Sequence, residues 1–363
     1  MPSEPALPAA HKSVAKPEHR QRPAGTGRKA RRRRREQERA QGGTLLKAPM
    51  LRGHTAAGRL RLLDGALASL HAPLFAPDDP CPAALAGRCP WGGGSMGSGG
   101  LAVDIGVGDS PVTTLEMAAA LRADAAVIGT EVDTGRLAVA RSARLPDGCP
   151  VEFRLGFTDF SLPLSPSERP QLIRAMNVLR DYHARDAAAA LKQLHSRLGP
   201  GGLLVEGSSS SDGDTLVALL IGESEAPARV QGVLFAADLG ALDASSELAE
   251  LPPAQWFRRH LPRIWLRHSV ARAPAPEPQS TDPAAAEPVQ DSDDASPIAA
   301  FLEAWAAASR SSPEPDGGQD LRERFVSSVR ALSGEGAGGF SGCVVSSWAE
   351  RGWLLWLPEP IPI

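Results

Sequence analysis

The residues best suited to chemistry lie in one short stretch, Val103-Asp-Ile-Gly-Val-Gly-Asp-Ser-Pro111. An apolar run ends at Ile105, and Gly106 and Gly108 follow with the spacing of a tight turn, where the backbone can approach a ligand closely. Pro111 then suits the first position of a helix, where its missing N–H costs nothing. This strand–turn–helix pattern is typical of a nucleotide-like ligand site at the carboxyl edge of a parallel sheet.

Two classes of ligand use such a turn, and the neighbouring residues discriminate between them. A dinucleotide site has the spacing Gly-x-Gly-x-x-Gly, and Pro111 stands where the third glycine would be. A site for S-adenosylmethionine has an acidic residue ahead of the glycines, which orients an ammonium group, and Asp104 occupies that position. The turn therefore favours S-adenosylmethionine, with an NAD(P)-dependent oxidoreductase as an alternative.

A second carboxylate follows the next apolar run of the chain, in Ile128-Gly-Thr-Glu-Val-Asp133. A carboxylate at the end of the second strand of a Rossmann-like sheet can accept hydrogen bonds from both ribose hydroxyls. Glu131 is the first candidate for this role, and Asp133 is the runner-up. The 27 residues from Asp104 to Glu131 are enough for a turn, a three-turn helix and a strand.

The elements that must position these residues follow from the hydrophobic pattern. Short apolar runs predict five strands, at Leu101–Ile105, Ala125–Glu131, Val151–Leu155, Gln171–Ala175 and Gly202–Glu206. Helical patterns lie between most of them, at Pro111–Arg122, Thr134–Ala143 and Arg185–Leu198. This alternation indicates a parallel sheet covered on both faces. Two further strands, antiparallel at one edge, are predicted at Leu216–Ile221 and Val230–Phe235, and a hairpin at Cys343–Leu357.

Taken together, the motifs resemble those of class I S-adenosylmethionine-dependent methyltransferases over about residues 55–270, with 298–335 a weaker match. Within that class the chain is most similar to a bacterial group that shares Arg174-Ala-Met-Asn-Val-Leu-Arg180 and Gly201-Gly-Leu-Leu-Val-Glu-Gly207. The resemblance implies an α/β fold with a Rossmann-like, doubly wound, seven-stranded sheet. It also implies a cofactor site in which Asp104, Gly106 and Gly108 line the methionine end, Glu131 holds the ribose, Phe157 lies near the adenine, and Asn177 faces the methyl-transfer cleft as the candidate catalytic residue.

The composition predicts a single catalytic domain with attachments. Gly and Pro together make up close to a fifth of the 363 residues and concentrate outside the predicted sheet. We expect a disordered basic arm at 1–51, the methyltransferase domain at 52–270 with a flexible insertion at 72–100, a disordered acidic linker at 271–297, and a helical cap with a Trp-rich tail at 298–363.

Charge is distributed unevenly along the chain. The net charge is −3, but residues 1–40 contain 12 Lys and Arg against 4 Glu, so these 40 residues carry +8 and the remainder −11. The run Arg31–Arg35 fits two interpretations, weak contact with nucleic-acid phosphates and a solubilising tail. Because no aromatic residues interleave with these arginines, the second interpretation is favoured.

Several classes of protein and site fit this sequence poorly. It has no run of about 18 apolar residues for a membrane span and no secretory signal, and four scattered cysteines fit a reducing cytoplasm. No metal site is expected, since Cys81 and Cys89 have no second pair of ligands nearby.

The methyl acceptor stays open: a small molecule, an RNA or a protein. The Asn/Asp-Pro-Pro-Tyr/Phe element that would sandwich a base amine is absent after the fourth strand, where Asn177-Val-Leu-Arg stands. Glu206 can bind substrate or face solvent. A non-catalytic binding protein that retains a degenerate cofactor fold is the other alternative.

Overall fold

The computed structural model describes the central part of the chain and its C-terminus, over residues 54–70, 74, 100–145, 150–223, 228–242, 251–261, 297–311, 320–332 and 343–363. The predicted basic arm with Arg31–Arg35, nearly all of the insertion at 72–100, and the linker up to residue 296 lie outside these residues. Among the described residues, no helix combines the length and apolar character needed to cross a membrane.

Described strands and helices alternate through the first half of the fold, as the hydrophobic pattern predicts. The strands are β1 (Leu101–Ile105), β2 (Ala126–Glu131), β3 (Val151–Leu155), β4 (Leu172–Met176), β5 (Leu203–Ser209), β6 (Thr215–Gly222), β7 (Arg229–Val230), β8 (Gly232–Ala237), β9 (Cys343–Val345), β10 (Trp353–Leu357) and β11 (Ile361–Pro362). The helices are α1 (Arg61–Leu70), α2 (Val112–Ala120), α3 (Thr134–Ser142), α4 (Ala184–His195), α5 (Pro253–Trp256), α6 (Pro297–Ser311) and α7 (Leu321–Leu332).

The main sheet has the strand order β3-β2-β1-β4-β5-β6-β8-β10-β9. Strands β1 to β5 are parallel, and the strands from β6 onwards pair antiparallel. The chain reverses direction across the sheet between β1 and β4, which is where ligands bind in doubly wound folds. The predicted antiparallel edge and the C-terminal hairpin are both confirmed.

The described sheet has nine strands, not the seven expected. The difference comes from the Trp-rich C-terminus, which was expected to follow a separate cap. Every residue of β10 is buried, and β10 inserts between β8 and β9. A strand in which every side chain is apolar gains most when both of its faces are covered. Here Leu354 and Trp356 belong to the core on one face, and Trp353, Leu355 and Leu357 belong to the core on the other.

Helices cover both faces of the sheet, so the fold is doubly wound. One face packs on α1 and α2 through Leu63, Leu67 and Met117. The other packs on α4, α6 and α7, where Phe301 stacks on Trp356 of β10 with ring centroids 4.4 Å apart. The predicted cap therefore contributes to the main core.

Candidate functional site

A cleft opens at the carboxyl ends of β1 to β4, where the polar residues predicted from sequence come together. It encloses about 1240 Å³ of empty space, part of it open to solvent. All six candidate residues lie in it or beside it: Asp104, Gly106, Gly108, Glu131, Phe157 and Asn177. The segment preceding α1 closes one side through His54, Thr55 and Arg59.

The glycine turn adopts a backbone that only glycine enters without strain. Gly106 has φ +78° and Gly108 has φ +83°, in the left-handed region. A Cβ on Gly106 would come 2.9 Å from Cγ2 of Val178, and one on Gly108 would collide with Oγ1 of Thr55. The turn therefore keeps the cleft floor open and lets the segment before α1 cross it.

We expect Gly108→Ala to destabilise the fold, because alanine must adopt a left-handed backbone and displace Thr55. The expected loss is about 1 to 3 kcal/mol in the free energy of unfolding, measured by chemical denaturation. Gly240→Ala is the control, since its added Cβ comes no closer than 3.4 Å to another atom, Oδ1 of Asp238. Equal effects of the two substitutions would contradict this interpretation of the turn.

Asp104 is held by a buried guanidinium on the neighbouring strand. Arg174 faces it in register on β4 and donates from Nε to Oδ1 at 2.9 Å and from Nη2 to Oδ2 at 3.0 Å. Thr114 also donates to Oδ2, at 2.6 Å. A carboxylate has about four acceptor positions, and these bonds leave one on Oδ1 for a ligand's ammonium group.

Asp64 of α1 completes a buried triad with Arg174 and Asp104. Its Oδ1 lies 2.6 Å from Nη1 of Arg174, while its Oδ2 has no partner. Burial raises the pKa of Asp64 to about 6, against the opposing attraction of Arg174. With both carboxylates ionised, the triad carries one net negative charge beside the glycine turn.

Glu131 ends β2, and its carboxylate is fixed by backbone amides. Oε2 accepts from the N–H of Gly108 at 2.9 Å, and Oε1 accepts from the N–H of Asp133 at 2.9 Å. Each oxygen keeps one acceptor position, the number needed to bind two ribose hydroxyls. The runner-up Asp133 has a different role: it caps α3 by accepting from Gly135 and Arg136.

Phe157 and Asn177 lie on opposite sides of the cleft. Phe157 follows β3 and is 40% exposed, so its ring is available for stacking on a planar group. Asn177 follows β4 with φ +61°, and its side chain is committed to the end of β5. Its Oδ1 accepts from the N–H of Ser209 at 3.0 Å, and its Nδ2 donates to Oγ of Ser209 at 3.0 Å.

Glu206 has neither of the roles considered for it from sequence, since it is 2% exposed and does not line the cleft. Its Oε2 has no hydrogen-bond partner, and burial raises its pKa to about 8. The folded protein therefore keeps this proton over a pH range in which the unfolded chain, with an ordinary glutamate pKa near 4.5, has lost it. By linkage, stability falls as pH rises from about 4.5 to about 8.

We expect Glu206→Gln to remove this group's part of the pH dependence and to raise the free energy of unfolding at pH 8 by roughly 4 kcal/mol. Urea denaturation at pH 5 and pH 8 measures it. Glu223→Gln, at an exposed glutamate, serves as the control and should leave the slope unchanged. If the stability of Glu206→Gln depends on pH as that of the wild-type protein does, burial does not raise the pKa of Glu206 as stated here.

Of the arginines that line the cleft, sequence reasoning missed Arg59 and left Arg180 open between capping the loop after the fourth strand and a functional role. Arg59 precedes α1 and bonds across 150 residues to Oγ of Ser209 at 3.2 Å. Arg180 follows Asn177 by three residues and donates to its Oδ1 at 3.4 Å. Arg180 lies in the quoted methyltransferase-like motif, whereas nothing local to Arg59 indicates its contact.

Of the comparisons with known proteins, only the one with solved structures yields matches. No protein-family model matches the chain, and no curated protein does. The chain is similar to magnesium protoporphyrin IX methyltransferase from Synechocystis PCC 6803 with bound S-adenosylhomocysteine, at 20% identity over 31% of this chain and 48% of that one, with a TM-score of 0.26. A second match is an S-adenosylmethionine-dependent methyltransferase from Methanosarcina mazei, at 20% identity over 32% and 55%, with a TM-score of 0.27. A third is an O-methyltransferase from neocarzinostatin biosynthesis, at 21% identity over 31% and 33%, with a TM-score of 0.26.

These matches are partial and distant. The chain spans between a third and two thirds of the length of the first structures it matches. The assignment of fold rests on the order of β1 to β5 and on the glycine turn after β1. They define a Rossmann-like, doubly wound α/β fold, which confirms the fold class expected from sequence apart from the number of strands.

Proposed function

We propose that this protein transfers a methyl group from S-adenosylmethionine to an acceptor bound at the β4–β5 end of the cleft. The observation that carries the proposal is the Glu131 carboxylate, which two backbone amides hold beside the glycine turn with both oxygens able to accept again. A ribose diol would bind such a carboxylate through two hydrogen bonds.

The remaining assignments follow from the order of strands along the sheet edge. Phe157 after β3 would pack on the adenine. The turn at Gly106 and Gly108 would approach the methionine end, where Asp104 would accept a hydrogen bond from the ammonium group. Asn177, after β4, would then border the place where the acceptor meets the methyl group.

The chain's own contribution to the reaction would be mainly orientation. When bound, S-adenosylmethionine supplies an electrophilic methyl group on a sulfonium. The cleft would hold the acceptor's lone pair in line with the bond that breaks, and such alignment can supply most of the rate. Asn177 fits a positioning role, because its bonds to Ser209 fix it and leave one amide N–H to face a ligand.

Turnover with labelled S-adenosylmethionine and a cell lysate, fractionated into RNA, protein and small molecules, tests this proposal. We expect label in one of the three fractions with the active protein and in none with the heat-denatured protein. Binding of S-adenosylhomocysteine without transfer of label to any fraction would instead indicate a non-catalytic binding protein.

A further inference from the structure

The β4–β5 end of the cleft contains two guanidinium groups that bond mainly to neutral acceptors. Arg59 is 8% exposed and donates to the carbonyls of Ser210 at 3.1 Å and His54 at 2.8 Å. Arg180 is half-buried and donates to Oδ1 of Asn177 at 3.4 Å, which is a long hydrogen bond.

Positive charge accumulates here without close compensation. Within the described part of the chain, neither arginine has a carboxylate oxygen within 4.0 Å. Burial lowers the pKa of Arg59, and the positive charge of Arg180 lowers it further. The carboxylate of Asp212 raises it. The pKa of nearby His260 falls to about 4, owing to burial and then to the charges of Arg259 and Arg180. His260 is therefore neutral at pH 7, and the local excess of positive charge comes from arginines.

Apolar side chains line the same cleft, and one of them reaches Tyr182, two residues beyond Arg180. The ring of Phe160 packs edge-on against Tyr182 with centroids 5.3 Å apart, and Leu162, Pro163 and Met176 extend the apolar surface. A cleft with apolar walls and two cations at one end is complementary to an apolar body with one anionic group.

Strand order separates Arg180 from the proposed cofactor groups, whereas Arg59 contacts both the end of β5 and the segment that crosses the glycine turn. Along the sheet edge, Phe157 follows β3, Glu131 ends β2 and the glycine turn follows β1, so the proposed cofactor site extends over these three strands. Arg180 follows β4 and lies outside these three strands. Arg59 bonds to Oγ of Ser209 at the end of β5 and to the carbonyl of His54, whose ring pairs with Asp109 in the glycine turn. Because Arg180 follows β4, the anionic group that it shares with Arg59 would belong to the acceptor.

We propose that the methyl acceptor is a small carboxylate with an apolar body, whose carboxylate group binds between Arg59 and Arg180. The planar guanidinium fork matches carboxylate geometry, and binding would compensate the two like charges. This inference rests on the proposed methyl transfer, because it places the acceptor by reference to the cofactor.

Calorimetric titration of the full-length protein tests the assignment with matched pairs of probes that differ in charge: benzoate and benzamide, 2-naphthoate and 2-naphthamide, octanoate and octanamide. Each pair is titrated with and without S-adenosylhomocysteine. We expect at least one carboxylate to bind at least 10-fold more tightly than its amide. Arg180→Gln should weaken that carboxylate by roughly 10- to 100-fold and leave the affinity for S-adenosylhomocysteine within about 3-fold.

Arg185→Gln, which removes an exposed arginine from α4, is the matched control and should change neither affinity. If Arg180→Gln does not fold by circular dichroism, Arg180→Lys retains the charge without the fork and should still weaken the carboxylate several-fold. The inference is wrong if no carboxylate exceeds its amide, or if Arg180→Gln or Arg180→Lys weakens S-adenosylhomocysteine instead, since the arginine would then bind the cofactor's own carboxylate. Failure of the wild-type protein to bind S-adenosylhomocysteine at all would count against the proposed function, which is a separate result.

Discussion

Replacing Arg174 by methionine is expected to lower the free energy of unfolding by about 3 to 5 kcal/mol. The guanidinium is fully buried and holds Asp104 by two hydrogen bonds and Asp64 by one. Its Nη2 also donates to the carbonyl of Thr113 at 2.8 Å. Methionine keeps much of the side-chain volume but leaves two buried carboxylates close together without a cation.

Guanidinium chloride denaturation of wild-type and Arg174→Met protein measures this loss. Arg122→Met is the control, because Arg122 and Asp124 form an exposed ion pair, and such pairs contribute about 0 to 1 kcal/mol. If Arg174→Met lowers the free energy of unfolding by less than about 1 kcal/mol, the buried triad does not stabilise the fold as proposed.

Glu131→Gln is expected to weaken the binding of S-adenosylhomocysteine about 100-fold. The substitution removes the negative charge and places an N–H₂ group where a ribose hydroxyl or a backbone N–H needs an acceptor. Hydrogen bonds to a charged group contribute about 1.5 to 3 kcal/mol each, so the loss of one or two accounts for that factor. Isothermal titration calorimetry measures the affinity.

Asp133→Asn separates the proposed ribose contact from general damage to this edge of the sheet. Asp133 lies two residues from Glu131, but its side chain caps α3, and asparagine caps a helix nearly as well as aspartate. We expect wild-type affinity for S-adenosylhomocysteine in Asp133→Asn. Equal losses in Asp133→Asn and Glu131→Gln would contradict the proposed role of Glu131.

The part of the fold that could be predicted is the part that local patterns determine. Strand β1 has its predicted bounds, and β2 differs from its prediction by one residue. Both are short apolar runs, bounded by a turn or a helix start, and this pattern is informative without knowledge of the tertiary structure. Gly106 and Gly108 were placed correctly in the turn because the backbone requirement is itself local.

What could not be predicted depends on partners distant in sequence. Arg174 bonds to Asp104 across 70 residues and to Asp64 across 110, so no spacing rule connects them. The same reason hid the contact of Arg59 with Ser209. The C-terminal strand β10 has an ordinary apolar pattern, but its insertion beside β8 depends on which sheet edge is available.

Titration of wild-type, full-length protein with S-adenosylhomocysteine is the most direct test of the central claim, that the cleft between the glycine turn and Glu131 is a cofactor site. We expect binding of one S-adenosylhomocysteine per chain and no measurable binding of NAD or NADP under the same conditions. Binding of a nicotinamide dinucleotide, or no binding of S-adenosylhomocysteine, would contradict the account.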